Sequence, residues 1–248
     1  MSIAENLRRV RERIARAAEL AARPANEVTL VGVTKYVGPR EAAELAAAGC
    51  TDLGESRPQE LWRKAGELAS ASGQPPRPAT SPRAGASPPP ALRWHLVGHL
   101  QRNKVRRTLP IVSLIHSVDS ERLMAAIDEA QQQRGDTALP VNVLLEVNTS
   151  GESAKHGLAP GDVEPLLAAA PRYPHVAIRG LMTMADLEGG PVVAARNFAS
   201  LRELRDRFQA KAPENVQLEE LSMGMSGDFE TAIREGATIV RIGSLLWD

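Results

Sequence analysis

The sequence predicts an α/β fold, a single parallel (β/α)8 barrel of the TIM-like kind, on three observations. Eight segments have strand character, helix-like segments alternate with them, and 248 residues are enough to bury the core of one barrel. The predicted strands are residues 28–35, 51–55, 93–98, 113–118, 141–148, 178–184, 218–223 and 238–242. The predicted helices are residues 40–48, 58–69, a short one near 103, 121–134, 162–169, 193–210 and 229–235.

The N-terminal segment, residues 3–21, is predicted to be an amphipathic helix. Its apolar residues, among them Leu7, Val10 and Ile14, recur at three- and four-residue steps, and Ser2 lies at the N-cap position. The chain ends too soon after the last strand for a long eighth helix. We therefore expect the N-terminal helix to complete the outer ring of the barrel.

Composition excludes several classes of protein. Thirty basic and 30 acidic residues cancel, so no overall charge favours binding to nucleic acid or to an anionic membrane. The single cysteine, Cys50, rules out an internal disulfide framework, and we expect it to be a small buried residue. The sequence contains no apolar run of membrane-span length, and charges begin at Glu5, unlike a signal peptide. These features predict a cytoplasmic protein.

One segment, residues 70–92, interrupts the alternation of strands and helices. It is rich in proline and contains almost no apolar side chain larger than alanine, so it cannot bury enough surface to become ordered. Because the alternation resumes unchanged after it, we interpret it as a disordered insertion in one domain that spans residues 1–248. A proline-rich ligand for a partner domain is the alternative.

The first predicted strand, residues 28–35, ends on Lys35. In (β/α)8 barrels the carboxyl ends of the strands carry the active and cofactor sites, and a lysine there can form a Schiff base with a carbonyl group. The amine reacts only when neutral, a form that a dry strand end favours. The alternative is a solvated surface lysine, or one paired with Glu55 or Glu146.

The last two predicted strands end in loops that suit a phosphate group. Residues 222–228 pass from a strand into a helix with two glycines and two serines, and Gly243 and Ser244 follow the last strand. Backbone N–H groups and hydroxyls at such a corner are phosphate ligands. The alternative is Ser226 or Asp228 as an ordinary N-cap. Phosphate sites recur after strands seven and eight of barrels. With Lys35, they predict a site for pyridoxal 5′-phosphate (PLP).

Five motifs together resemble the pyridoxal phosphate homeostasis proteins over nearly the whole chain outside the insertion. These motifs are residues 34–35, 54–55 with 59–60, 94–104, 222–228 and 240–244. The family has a single barrel like the N-terminal domain of alanine racemase, known as fold type III among PLP proteins. The resemblance therefore implies the same fold as the strand count.

The resemblance also implies roles for individual residues. Lys35 matches the lysine that forms the internal aldimine with PLP, while Ser226, Gly243 and Ser244 match phosphate contacts. Arg241 matches an arginine that faces the pyridine nitrogen. Two positive charges in one dry site repel, so this arginine would keep the nitrogen unprotonated and the ring a weak electron sink.

Four further residues complete the predicted cofactor site. Ser222 and Gly227 belong to the phosphate-loop motif. His95 either borders the cofactor or is a core histidine hydrogen-bonded to the backbone. Ser56 replaces the asparagine that usually follows Gly-Glu in the family; it is predicted to cap the next helix, and its shorter side chain puts the usual contact with the cofactor in question.

Two further sites are considered, a metal site and a second amine for PLP. A metal site on His95 and His99 is not predicted, because no carboxylate or cysteine companion lies at ligand spacing. Lys155 resembles a lysine near the family's cofactor site and is either a second, transient amine for PLP or a solvated loop lysine.

These observations predict a non-catalytic carrier or reservoir for PLP in vitamin B6 homeostasis, monomeric, with apo-enzymes as recipients. One alternative is an amino-acid racemase, but that activity requires a second domain and a catalytic tyrosine. The tyrosines are Tyr36 and Tyr173, and strand alternation directs Tyr36 away from Lys35. The other alternative is a cofactor-free class I aldolase, which would lack visible colour.

Overall fold

Eight parallel strands close into a barrel in chain order, each paired with the next and the last with the first. The computed structural model describes residues 2–72, 92–135, 139–152, 156–186, 189–213 and 215–248. The strands are β1 Thr29–Val33, β2 Asp52–Glu55, β3 Arg93–Leu96, β4 Val112–Val118, β5 Val141–Glu146, β6 Val176–Met182, β7 Val216–Ser222 and β8 Ile239–Ile242. All eight predicted strands and the barrel are confirmed.

The helices lie outside the sheet and connect successive strands. They are α1 Ile3–Leu20, α2 Pro39–Ala47, α3 Pro58–Ser72, α4 Val105–Thr108, α5 Glu121–Gln132, α6 Val163–Ala169, α7 Gly190–Gln209, α8 Phe229–Arg234 and α9 Ser244–Trp247. The short helix α9 was not predicted, since four residues carry no apolar periodicity. Helix α3 continues to Ser72, three residues beyond its predicted end.

Helix α1 completes the outer ring, as predicted, by packing between α2 and the last two helices. Ser2 Oγ accepts from the backbone N–H of Glu5 at 3.2 Å, which confirms the N-cap. On the side toward α8, Arg13 Nε lies 2.9 Å from Glu230 Oε1. On the side toward α9, Asn6 Nδ2 donates to the carbonyl of Leu246 at 3.3 Å.

The core has two parts. Between sheet and helices lies a continuous apolar layer, whereas a smaller cluster fills the inside of the barrel. That inner cluster consists of Val31, Leu114, Leu144, Met182 and Ile239. Buried polar side chains also line the barrel interior, which therefore holds both apolar and polar groups.

Cys50 is buried, as predicted, next to the start of β2. Burial, with a smaller contribution from the charge of Asp52, raises the pKa of its thiol to about 11. A thiol with that pKa forms little thiolate at neutral pH and is unreactive.

Two predictions concern residues outside the described part of the chain. The insertion predicted over 70–92 begins too early, because α3 continues through residues 70–72. The rest of it falls almost entirely within 73–91, and Lys155 falls within 153–155, so both stay predictions. None of the helices in the described ranges combines the length and apolar character that a membrane span requires.

Candidate functional site

Lys35 lies just beyond the carboxyl end of β1. The strand ends at Val33, Thr34 is buried, and Lys35 is the first exposed residue of the turn. Its Nζ lies 4.7 Å from the centre of the Tyr36 ring, so the two side chains share one side. The expectation that Tyr36 points away was wrong, because the strand ends at Val33, three residues before it. Lys35 is exposed, so the dry surroundings that would favour a neutral amine are not observed.

A buried ion pair supports the corner that carries Lys35. Lys64 Nζ, on α3, lies 2.6 Å from Glu55 Oε2 at the end of β2, and both side chains are at most 1% exposed. The same Nζ donates to the carbonyl of Thr34 at 2.6 Å. The ion pair therefore joins α3 to the ends of β1 and β2. Because Glu55 is already paired with Lys64, the alternative pairing of Lys35 with Glu55 is not observed.

Ser56 is half-buried at the end of β2. Its backbone N–H donates to Glu55 Oε1 at 2.7 Å and its hydroxyl donates to the same oxygen at 3.4 Å. The predicted capping of α3 by the Ser56 hydroxyl is not observed, since that hydroxyl points to Glu55. Gly98, after β3, packs so closely that a Cβ there would lie 2.4 Å from the Ser56 carbonyl oxygen.

The loops after β7 and β8 are joined at their serines and glycines. Ser226 Oγ accepts from the backbone N–H of Gly243 at 3.2 Å. Strand β8 pairs with β1, with Ile242 opposite Gly32, so the joined loops lie beside the strand that ends at Lys35. In the described chain the backbone N–H groups of Ser226 and Gly227 have no acceptor.

The donors in these two loops fit a phosphate group. Gly227 is exposed and has open space where a side chain would lie. Met225 N donates to Asp228 Oδ1 at 2.6 Å, which folds the turn so that the next two N–H groups lack an acceptor among the described residues. Unpaired backbone donors and a serine hydroxyl are the groups that bind phosphate oxygens. The pattern of the sequence predicted this arrangement.

A chain of hydrogen bonds crosses the barrel interior beneath these loops. Arg241 Nη1 lies 2.7 Å from Ser222 Oγ, which lies 2.8 Å from His116 Nδ1. His116 Nε2 lies 2.9 Å from His95 Nδ1, and His95 Nε2 lies 2.9 Å from Asp52 Oδ1. All five side chains are buried. We call this set the polar relay; it connects the end of β8 with the start of β2.

The chemistry of the two end groups determines which atom donates and which accepts in each hydrogen bond of the polar relay. Arginine only donates and an ionised carboxylate only accepts. Ser222 therefore accepts from Arg241 and donates to His116 Nδ1. His116 donates through Nε2 to His95 Nδ1, and His95 donates through Nε2 to Asp52. This arrangement gives every proton between Arg241 and Asp52 an acceptor, and it keeps the buried His116 neutral. Burial, with the neighbouring His95 and Arg241, lowers the pKa of His116 well below its usual value.

The polar relay places opposite charges at its two ends. Burial lowers the pKa of Arg241 to about 10, so the guanidinium stays charged at neutral pH. Its Nη2 also donates to the carbonyl of Thr183 at 2.9 Å. Asp52 forms a bidentate pair with Arg93, with N–O distances of 2.7 and 2.6 Å. The hydrogen bonds to Ser222 and to the Thr183 carbonyl thus hold the Arg241 guanidinium in place, and the guanidinium keeps its charge.

The predicted residues thus form two groups. Those at the carboxyl ends of the strands are Lys35, Ser56, Ser226, Gly227, Gly243 and Ser244, and those in the polar relay are His95, Ser222 and Arg241. His95 is a hydrogen-bonded interior histidine, one of its two predicted roles, although its partners are side chains.

The sequence did not identify Lys64, His116 or Asp52 as residues of the site, and it did not predict the raised pKa of Glu146. Burial, with the nearby charge of Asp119, raises the pKa of Glu146 to about 6. A lysine on the apolar face of α3, beside Leu61, was a signal for Lys64. His116 had none, because its partners lie on other strands.

This barrel belongs to a known structural class. The family described as "Alanine racemase, N-terminal domain" matches residues 3–247. Alanine racemase from Streptomyces coelicolor A3(2) has the same fold, with a TM-score of 0.67 and 20% identity over 96% of this chain and 57% of that one. That likeness shows the fold alone.

Two closer relatives narrow the class. The pyridoxal phosphate homeostasis protein of Aquifex aeolicus (strain VF5) is 39% identical over 247 residues, which cover 100% of this chain and 98% of the relative. PipY of Synechococcus elongatus PCC7942, solved with PLP bound, is 32% identical over 100% of both chains, with a TM-score of 0.79. The chain belongs to the pyridoxal phosphate homeostasis protein family.

Proposed function

We propose that this protein binds PLP through Lys35 and acts in vitamin B6 homeostasis as a carrier or reservoir of the cofactor. The observation that carries the proposal is the Ser226–Gly243 hydrogen bond, which joins two loops with phosphate donors beside the β1 strand end. The relatives' name and the PLP-bound PipY structure support it.

Each part of PLP has candidate partners in this chain. The exposed amine of Lys35 is accessible to an aldehyde, and the N–H groups of Ser226 and Gly227, with Gly243 and Ser244 beside them, suit the phosphate. When bound, PLP supplies an aldehyde and an electron-accepting ring. These residues therefore fit both reactive groups of the cofactor.

Arg241 is the reason to propose a role without turnover. Its guanidinium is charged and held by Ser222 and Thr183, so it disfavours a second positive charge next to it. A pyridine nitrogen that faced it would stay unprotonated, which weakens carbanion stabilisation. Tyr36 is near Lys35 but 78% exposed, and its hydroxyl has no hydrogen-bond partner in the described chain. This environment does not favour the racemase alternative.

The site is tested by absorption spectroscopy with and without PLP, then borohydride reduction and peptide mass mapping. The chain has five lysines, so the map is simple. We expect a reducible visible band and an adduct on Lys35. Lys35→Ala should lose the band, whereas Lys211→Ala, at an exposed turn after α7, should keep it. No band, or adducts spread over several lysines, would overturn the site and favour tests with phosphorylated aldehydes.

The carrier role is tested separately. We expect the PLP-loaded protein to exchange the α-proton of alanine with deuterium oxide no faster than free PLP, and to restore activity to an apo-enzyme that needs PLP. Enzyme-like exchange would instead show a racemase-type activity. The monomeric state and cytoplasmic location predicted above belong to the same proposal; light scattering tests the first.

A further inference from the structure

Three side chains converge at the carboxyl face of the barrel, after three successive strands. His99 follows β3, Asp119 follows β4, and His156 lies in the loop after β5. Their possible ligand atoms all lie within 4.8 Å of one another. We call this set the rim cluster. Sequence spacing gave His99 no carboxylate companion, but folding brings Asp119 and a second imidazole to it.

One distance in the rim cluster already matches the spacing of ligand atoms around one ion. Zinc bonds of about 2.0–2.2 Å in tetrahedral geometry place ligand atoms roughly 3.3–3.6 Å apart. His99 Nδ1 and Asp119 Oδ2 are 3.5 Å apart, too far for a good hydrogen bond. The His99 and His156 rings stack with centres 5.2 Å apart and planes at 21°, so they extend side by side. Both histidines are exposed, so small side-chain rotations can shorten the widest separation.

The chemistry of the donors selects the kind of ion. Two imidazoles and one carboxylate suit Zn²⁺ and similar divalent transition metals, whereas Mg²⁺ and Ca²⁺ prefer oxygen ligands throughout. Three protein ligands leave a fourth zinc position for water or a small anion. Among the described residues, no second set of three such side chains brings its ligand atoms this close together.

We propose that His99, Asp119 and His156 bind a divalent transition-metal ion, Zn²⁺ in the first place. The ion would link the loops after β3, β4 and β5 at one edge of the carboxyl face. The residues proposed for the aldehyde and phosphate of PLP follow β1, β7 and β8. The metal site shares none of them, so metal binding is a proposal separate from that function.

The test uses the full chain, freed of metal with EDTA and of PLP by dialysis. Titration with Co²⁺ as a spectroscopic substitute, and calorimetry with Zn²⁺, should show one equivalent bound and a visible ligand-field band typical of tetrahedral nitrogen and oxygen ligands. Repeating the Zn²⁺ titration on PLP-loaded protein should give the same affinity, which separates this site from a metal held by the cofactor.

Single substitutions locate the site. His99→Ala, His156→Ala and Asp119→Asn should each weaken Zn²⁺ binding at least tenfold and remove the Co²⁺ band. The matched control is His175→Ala, since His175 Nδ1 lies 3.3 Å from Asp128 Oδ1 without a third ligand among the described residues. It should leave both signals unchanged. Unchanged affinity in either rim histidine variant, or an equal loss in His175→Ala, would overturn the proposal.

Discussion

Asp52 is the ionised end of the polar relay, and its protonation state controls the other members. Burial alone would raise the pKa of Asp52, but the hydrogen bonds from His95 and Arg93 outweigh burial and lower it below its usual value. A folded-state pKa below the unfolded value means that the ionised carboxylate stabilises the fold above about pH 4. That contribution is lost as the pH falls through the folded-state pKa.

Asp52→Asn should therefore lower the free energy of unfolding at pH 7 by about 1–3 kcal/mol, because Arg93 and His95 lose a charged acceptor. The difference from wild type should shrink as the pH falls below about 4, where wild-type Asp52 also becomes neutral. Urea unfolding from pH 3 to 7 measures both effects. Glu12→Gln, at an exposed ion pair on α1, is the control and should change little. A difference that stays constant with pH would contradict the assignment.

At the scale of elements, the Lys64–Glu55 pair determines where the β1 corner lies. Lys64→Met leaves the Glu55 carboxylate buried without its counter-charge, which should lower the free energy of unfolding by about 3–5 kcal/mol. It also frees the Thr34 carbonyl, so PLP should bind Lys35 more weakly. Denaturation and PLP titration measure the two effects.

A control on the same helix separates the buried pair from ion pairs in general. Arg63 also bonds glutamates, Glu60 and Glu67, but on the exposed face of α3. Arg63→Met should leave stability and PLP affinity unchanged within error. Equal effects of the Lys64 and Arg63 substitutions would show that burial does not matter here.

Two glycines should respond to alanine with opposite signs. Gly98→Ala places a Cβ 2.4 Å from the Ser56 carbonyl oxygen, so the loops after β2 and β3 must separate, at a cost of about 1–3 kcal/mol. Gly66 lies inside α3, and apart from its chain neighbours and the helix's own backbone no atom lies within 4 Å of the position a Cβ would take. Gly66→Ala should therefore stabilise the protein by about 0.5–1 kcal/mol. Thermal unfolding of both variants gives the comparison. Stabilisation by Gly98→Ala would show that the two loops are not in contact.

At the scale of the whole molecule, alternation and motif spacing predict the barrel, the β1 lysine and the phosphate loops, because each depends on residues close together in sequence. The polar relay and the rim cluster depend on pairs such as His95 and His116, on neighbouring strands, or Ser222 and Arg241, whose contact follows from strand register. The spacing of residues along the sequence does not predict that strand register. The error at Tyr36 arose from a strand end, which is set by where hydrogen bonding to β2 and β8 stops.

The proposed PLP site also lies where the barrel closes. Strand β8 pairs with β1, so a ligand held by Lys35 and by the loops after β7 and β8 spans the junction between the first and last strands. PLP that binds the folded state should stabilise the whole barrel. At about 100 times its dissociation constant the gain is about 2.7 kcal/mol.

For a chain of this length each kcal/mol raises Tm by about 2–4 °C, so saturation with PLP should raise Tm by about 5–11 °C. Thermal scans at a series of PLP concentrations, with the dissociation constant measured independently, check this value. Pyridoxal, which lacks the phosphate, should produce a smaller rise, and Lys35→Ala should reduce the rise with PLP. If pyridoxal stabilises as well as PLP, the loops after β7 and β8 do not bind phosphate. If Lys35→Ala keeps the full rise, the lysine does not hold the cofactor and the barrel binds it elsewhere.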